Sequence, residues 1–121
     1  MITLTLPWPH RACWQNSRSH WTVKAQAVKA DRETALYLTR EALLFQTWVE
    51  PPPEDTITVR MVFSHPKRTP RYDLQNAEAA MKAAVDGIAY GLGVDDERFM
   101  VMGERGRKSD GAGSVAVQVG E

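Results

Sequence analysis

An alanine-rich segment at positions 74–90 constrains the fold of this 121-residue chain more than any other stretch. Apolar residues recur along it at helical spacing, and Gly91 and Gly93 follow it, so we predict an amphipathic helix over about 74–90. Asp73 occupies the position of a favoured N-cap. The apolar stripe, which must be buried against another element, comprises Leu74, Ala77, Met81, Ala84, Val85 and Ile88.

Alternating apolar and polar residues predict strands at about 2–6, 56–64, 99–104 and 114–119. Helical spacing predicts a second helix at about 23–46. The order is therefore strand, helix, strand, helix, strand, strand. This order predicts an α+β fold, with a mixed four-stranded sheet and two main helices packed on one face. The length fits one domain spanning 1–121.

Composition narrows the class of protein. Hydrophobic residues make up 43% and charged residues 25% of the chain, which is typical of a globular protein. No apolar run approaches the ~20 residues of a membrane helix, and the first residues lack the pattern of a signal peptide. Cys13 is the single cysteine and cannot form an internal disulfide. We therefore predict a cytoplasmic protein without a membrane partner.

Acidic residues gather around the ends of the helix predicted at 74–90. Carboxylate oxygens are the ligands that hard divalent cations prefer, and a lysine beside them can stabilise charge on a phosphate. Lys82 lies on the polar stripe of this helix, together with Gln75 and Asp86. The acids are Asp73, Asp86, Asp95, Asp96 and Glu97. This grouping predicts metal-dependent chemistry on a phosphodiester.

Each of these residues also has a plainer interpretation. Asp73 is a favoured N-cap without any further role. Lys82 and Asp86 can form a surface ion pair worth only ~0.3–0.5 kcal/mol. Asp95 and Asp96 can belong to a solvated turn. The metal hypothesis therefore requires Asp73 and the Asp95–Asp96 pair to share one pocket.

Basic residues are unevenly distributed although the formal net charge is zero. One basic stretch alone is usually a solvated loop, whereas three stretches around one acidic site favour binding of a polyanion. The three stretches contain Arg11, Arg18, His20 and Lys24 near the N-terminus, Lys67, Arg68 and Arg71 before the acidic helix, and Arg105, Arg107 and Lys108 near the C-terminus.

These motifs resemble those of the RusA-type endonucleases, which resolve Holliday junctions, and the resemblance spans nearly the whole chain. Asp73-Leu-Gln-Asn76 resembles the D-x-D-N motif of the family. Lys82-Ala-Ala-Val-Asp-Gly-Ile88 is similar to a phage and prophage branch with a longer active-site helix. The other matching segments are Leu4-Thr-Leu-Pro-Trp-Pro9, Lys67-Arg-Thr-Pro-Arg71 and Gly91-Leu-Gly-Val-Asp-Asp-Glu-Arg-Phe99.

The resemblance implies a homodimer that cuts paired strands of a four-way DNA junction, in a bacterial or phage-infected cell. Mg²⁺ is the implied cofactor, with Mn²⁺ as a substitute. Asp73, Asp95, Asp96 and Lys82 would be catalytic, and the three aspartates would hold the metal. The implied DNA-binding residues are Lys67, Arg68, Arg71, Asn76, Arg105, Arg107 and Lys108.

Two departures from the family pattern leave the activity open. Gln75 stands where the motif has its second acid, so it would be a weak, neutral metal ligand. Lys82 comes nine positions after Asp73, whereas shorter family members place their lysine six positions after. The alternatives are a Mg²⁺-dependent junction-resolving endonuclease, a branched-DNA-binding protein that no longer cuts, and a protein-interaction domain without a nucleic-acid role.

Overall fold

The computed structural model describes residues 1–14, 17–68 and 72–120. Short 3₁₀ turns cover Arg11–Cys13 and Asp96–Arg98. The helices and strands are β1 (Ile2–Pro7), α1 (Trp21–Phe45), β2 (Ile57–Ser64), α2 (Leu74–Ala80), α3 (Lys82–Leu92), β3 (Phe99–Arg105) and β4 (Ser114–Val119).

The four strands form one mixed sheet in the order β1-β4-β2-β3. β2 pairs in parallel with β3, and β4 pairs antiparallel with both β1 and β2. The parallel pair requires a crossover connection, which α2 and α3 supply. The predicted α+β fold with a mixed four-stranded sheet is therefore confirmed.

The core lies between one face of the sheet and the helices. Alternate residues of each strand point toward it, as the period of two demands. α1 packs against α3 and β1, while α2 packs along β3. The buried apolar residues of β2 and β4 are Ile57, Val59, Met61, Phe63, Val115, Val117 and Val119. The apolar stripe that predicted the helix at 74–90 is buried in this core.

The helix predicted at 74–90 is two helices separated at Met81. The Met81 N–H bonds to the carbonyl oxygens of Glu78 and Ala79 in a tightened turn, and its side chain is buried. The break lets α2 follow β3 while α3 packs on α1. Gly93 ends α3 with a φ of 73°, a left-handed conformation that glycine adopts without strain.

One side chain occupies the free edge of β1. Gln46 follows α1, and its amide oxygen accepts a hydrogen bond from Thr3 N at 2.8 Å. Its amide nitrogen donates to Thr3 O at 2.7 Å. The side chain therefore makes the two hydrogen bonds that a neighbouring strand would make at this residue.

No helix among the residues described is both long enough and apolar enough to cross a membrane.

Candidate functional site

A lysine joins two carboxylates on the side of the molecule where α3 turns back into β3. Lys82 Nζ, in the first turn of α3, donates to Asp86 Oδ1 at 2.7 Å and to Asp96 Oδ2 at 2.8 Å. Asp86 lies one helical turn further along α3, and Asp96 begins the 3₁₀ turn before β3. The fold therefore brings the predicted residues Lys82 and Asp96 into direct contact.

The contact fixes the charge of both partners. Hydrogen bonds to Asp86 and then to Asp96 raise the pKa of Lys82 above its usual value. The hydrogen bond from Lys82, followed by its positive charge, lowers the pKa of Asp96. Near neutral pH the ammonium therefore stays protonated and the carboxylate stays ionised. Lys82 is suited to stabilising negative charge and unsuited to accepting a proton.

A cavity of about 400 Å³ opens beside this contact. It is lined by Gln75, Glu78, Ala79, Lys82, Val85, Asp96, Phe99 and Val101. Polar side chains of α2 and of the turn before β3 thus line one cavity, together with the apolar side chains of Val85, Phe99 and Val101. Gln75, which replaces the second acid of the motif, faces the same space as Asp96.

Glu78 is a site residue that the sequence analysis missed. Its Oε1 accepts a hydrogen bond from Gly103 N of β3 at 3.1 Å, which holds the half-buried carboxylate against the sheet. A Cβ at position 103 would lie 2.6 Å from this oxygen, so only glycine permits the approach. The spacing of three from Gln75 and four to Lys82, which places all three on one helix face, was the available signal.

Asp73 lies away from Asp96. Its Oδ1 accepts a hydrogen bond from Asn76 N at 3.0 Å, which caps α2. The neighbouring Tyr72 carbonyl accepts a hydrogen bond from Arg105, the last residue of β3, whereas Asp96 precedes the first residue of β3. The seven residues of β3 span roughly 20 Å. The structure therefore does not bring Asp73 into the cavity with Asp96.

Asp95 also serves as a cap. Its Oδ1 accepts a hydrogen bond from Glu97 N at 2.9 Å, and the residue is exposed. The expectation that Asp73 and the Asp95–Asp96 pair share one pocket is not met, because both flanking aspartates satisfy N–H groups at the start of a helix or turn. Within residues 1–14, 17–68 and 72–120, no group of three or more His, Cys, Asp or Glu side chains is placed to hold a metal ion.

Two carboxylates and one amide line the cavity, fewer acids than a preformed metal cage contains. Mg²⁺ typically binds one or two carboxylates, keeps several waters, and completes its shell with substrate phosphate. Glu78 and Asp96 supply two carboxylates, and Gln75 supplies an amide oxygen. This set suits a site that a phosphate completes, and it does not suit a preformed cage of three carboxylates.

The turn that carries Asp96 is fastened by Arg98. The Arg98 guanidinium donates to the carbonyl oxygens of Pro51, Pro52 and Asp55 and to the carboxylate of Glu50. Its side chain is only 17% exposed. The loop before β2 and the turn before β3 are thereby held together.

Two of the three predicted basic stretches, those after β2 and after β3, meet at the other end of β3. β2 and β3 are parallel and end together, and Ser64 at the end of β2 and Pro7 at the end of β1 both pair with Ser114. The segments after β2 and β3 are joined by hydrogen bonds from Ser109 N to His65 O and from Lys67 N to Gly111 O. The exposed side chains at this basic end are Lys67, Arg68, Arg107 and Lys108. Arg71 lies outside the described residues.

Arg105, which was predicted to bind DNA, is exposed but makes contacts with Tyr72 of the same chain. Its guanidinium donates to Tyr72 O at 3.1 Å and lies 4.6 Å from the centre of the Tyr72 ring. Tyr72 packs edge-on against Trp8 and Trp14. Arg105 therefore has a structural role that any DNA contact must share.

Asn76, which was also predicted to bind DNA, is half-buried in the first turn of α2.

Comparisons with known proteins add little to this geometry. No protein-family model matches the chain. An uncharacterised protein of Xylella fastidiosa is 38% identical over 102 residues, and this match covers 83% of the chain and 63% of the relative. The OmpA-like domain of FopA1 from Francisella tularensis matches 98% of this chain and 71% of its own, with 16% identity and a TM-score of 0.40. A TM-score this low carries no argument about fold or function.

Proposed function

We propose that this protein is a Mg²⁺-dependent endodeoxyribonuclease that cuts branched DNA, with the four-way junction as its substrate. The observation that carries the proposal is the 2.8 Å contact between Lys82 and Asp96 in a cavity that Gln75 and Glu78 also line. The motif resemblance to RusA-type endonucleases and the basic end of the sheet support it.

The residues of the cavity divide the chemistry among them. Bound Mg²⁺ would polarise a phosphoryl oxygen and lower the pKa of a water. Asp96 and Glu78 would hold it, assisted by Gln75. Lys82 stays protonated, so it stabilises charge on the phosphate or on the leaving oxygen. The motif predicts Asp73 and Asp95 as metal ligands as well, but the proposed site does not include them because both serve as caps.

The basic end would hold the DNA backbone at a distance from the cut. Contacts to phosphates fix position without reading sequence, which suits a substrate defined by its branching. The roughly 20 Å length of β3 corresponds to about six phosphates of one strand at ~3.4 Å each. A strand bound by Lys67, Arg68, Arg107 and Lys108 would therefore reach the cavity within about half a helical turn.

The proposal includes a homodimer working in the cytoplasm of a bacterial or phage-infected cell. One cavity cuts one strand, and a two-fold symmetric junction requires two symmetric cuts, which a symmetric dimer supplies.

Burial, with a contribution from Asp31, raises the pKa of the Cys13 thiol to about 12. Such a thiol is inert, so a redox role is not part of the proposal.

The test is cleavage of a synthetic four-way junction with and without Mg²⁺. We expect Asp96→Asn and Lys82→Gln to abolish most cleavage while leaving junction binding intact. Glu97 is a neighbouring exposed acid, so Glu97→Gln is the matched control and should cleave the junction as fast as the parent. Equal cutting by Asp96→Asn and the parent would refute the assigned site.

A branched-DNA-binding protein that does not cut is the second candidate. Gln75 in place of an acid favours it, because the site has less negative charge to attract a divalent ion. Junction binding without cleavage in either Mg²⁺ or Mn²⁺ would select this candidate. Gln75→Asp would then be expected to raise metal affinity. Retention on junction DNA with an affinity that falls steeply as salt rises would count against the protein-interaction domain.

A further inference from the structure

Asp86 makes a contact that neither the motif nor the proposed chemistry uses. Its Oδ1 accepts the shorter of the two hydrogen bonds from Lys82, at 2.7 Å. The Lys82 side chain is 66% exposed and ends a flexible four-carbon chain, so without partners it would sample many rotamers. Two acceptors from different elements, Asp86 in α3 and Asp96 in the following turn, restrict it to one direction.

The backbone segments that carry Asp86 and Asp96 are both held in place by contacts with the rest of the protein. Asp86 precedes Gly87, where α3 approaches the Arg32 carbonyl of α1 closer than any side chain would permit. The residues before it, Ala84 and Val85, are buried. The turn that bears Asp96 is fastened by Arg98. Asp86 and Asp96 therefore have fixed attachment points, and Lys82 is the member of the trio that must be positioned.

We propose that Asp86 is a positioning residue, which holds the Lys82 ammonium beside Asp96 at the cavity so that it meets a DNA phosphate. The identity of the phosphate rests on the proposed function, whereas the positioning itself does not. Asp86 is expected to touch neither substrate nor metal. Its loss leaves Lys82 bound only to Asp96, free to swing about that contact.

The first experiment measures the reactivity of each lysine by limited acetylation and mass spectrometry. Lys29 is the internal reference, because it is also two-thirds exposed but lies 4.0 Å from its acid, Glu33. We expect Asp86→Ala to raise the acetylation rate of Lys82 relative to Lys29 about twofold to fivefold. Glu33→Ala, the matched control, removes the acid paired with Lys29 and should leave the absolute acetylation rate of Lys82 equal to that in the parent. An unchanged Lys82 rate in folded Asp86→Ala protein would overturn the proposal.

Asp86→Asn separates the hydrogen bond from the charge, because it retains an oxygen acceptor. We expect Asp86→Ala to lower kcat for junction cleavage at least tenfold with little change in KM, and Asp86→Asn to recover part of the loss. Normal cleavage by Asp86→Ala with a mobile Lys82 would overturn the positioning role and leave the proposed function standing.

A parent protein that binds junctions without cutting them would refute the nuclease and still test the positioning. Junction DNA should then protect Lys82 from acetylation in the parent and protect it less in Asp86→Ala. Equal protection in both proteins would overturn the inference.

Discussion

Replacing Gly87 by alanine tests whether the α1–α3 contact sets the position of the site. Gly87 directly follows Asp86 and faces Arg32 and Ala35 of α1. A Cβ at 87 would lie 3.1 Å from both the Ala35 Cβ and the Arg32 carbonyl carbon, and closer still to the Arg32 oxygen. Because the obstacle is backbone, rotation of a side chain cannot relieve it.

The expected free-energy change is a difference of two effects. Alanine is favoured over glycine in a helix interior by about 1 kcal/mol. Restoring ordinary contact distances requires α1 and α3 to separate locally by about 1 Å, which loses a quarter to a half of each contact energy at this interface. Overpacking of this kind costs about 1–3 kcal/mol and sometimes more. We expect a net destabilisation of about 1 kcal/mol, or about 4 °C in Tm for a chain of this size.

The assay is urea unfolding followed by circular dichroism, with cleavage of junction DNA measured on the folded variant. Gly91→Ala is the comparison, because its Cβ would meet Cγ2 and Cβ of Thr39 at 2.9 and 3.0 Å rather than a backbone oxygen. Its loss of stability should be smaller. Ala35→Gly combined with Gly87→Ala should rescue little, since the Arg32 carbonyl remains. A Gly87→Ala protein more stable than the parent would refute the packing argument.

Three further outcomes are expected. Arg98→Lys should lower the free energy of unfolding by about 2 kcal/mol, because an ammonium cannot reach the same set of carbonyl oxygens; thermal unfolding checks this. Gly103→Ala should displace the Glu78 carboxylate and cost about 1 kcal/mol, and a double-mutant cycle with Glu78→Ala should show that the two changes are not additive. The stability difference between the parent and Asp96→Asn should be present above the unfolded pKa of the carboxyl and be lost as pH falls through its lowered folded pKa; it should also vanish at alkaline pH, once the raised pKa of Lys82 is passed. Denaturant titrations across the pH range would detect a difference that persists at acid pH.

Local patterns predicted the fold class and most of its elements but not the whole site. The alternation in β2 and β4 and the spacing in α1 predicted those elements, because each depends on residues a few positions apart. The pairing of Lys82 with Asp86, four positions along one helix, was open to prediction for the same reason. The separation at Met81 was not, because it depends on α2 and α3 packing against different partners.

The roles of the site residues could not be assigned from the sequence alone. Asp73 and Asp95 carry acid side chains suited both to metal binding and to capping, and sequence alone does not choose between these roles. The structure shows both as caps. The spacing of Glu78 from Gln75 and Lys82 could be seen in the sequence, but its hydrogen bond with Gly103 in β3, 25 positions away, could not. Contacts at that sequence distance leave no periodic signal.

The amide of Gln46 has a consequence for how copies of this chain can associate. Thr3 turns its N–H and carbonyl outward to meet that amide, so alternate residues Thr5 and Pro7 also turn outward along β1. Proline has no N–H to offer, which leaves Thr5 alone with a donor and an acceptor for a new ladder. The hydrogen bonds of one residue cannot hold an added strand in register, so β1 resists growth of the sheet into fibrils. The symmetric dimer that we propose would consequently have to form through some other surface than a continuous sheet across two β1 strands.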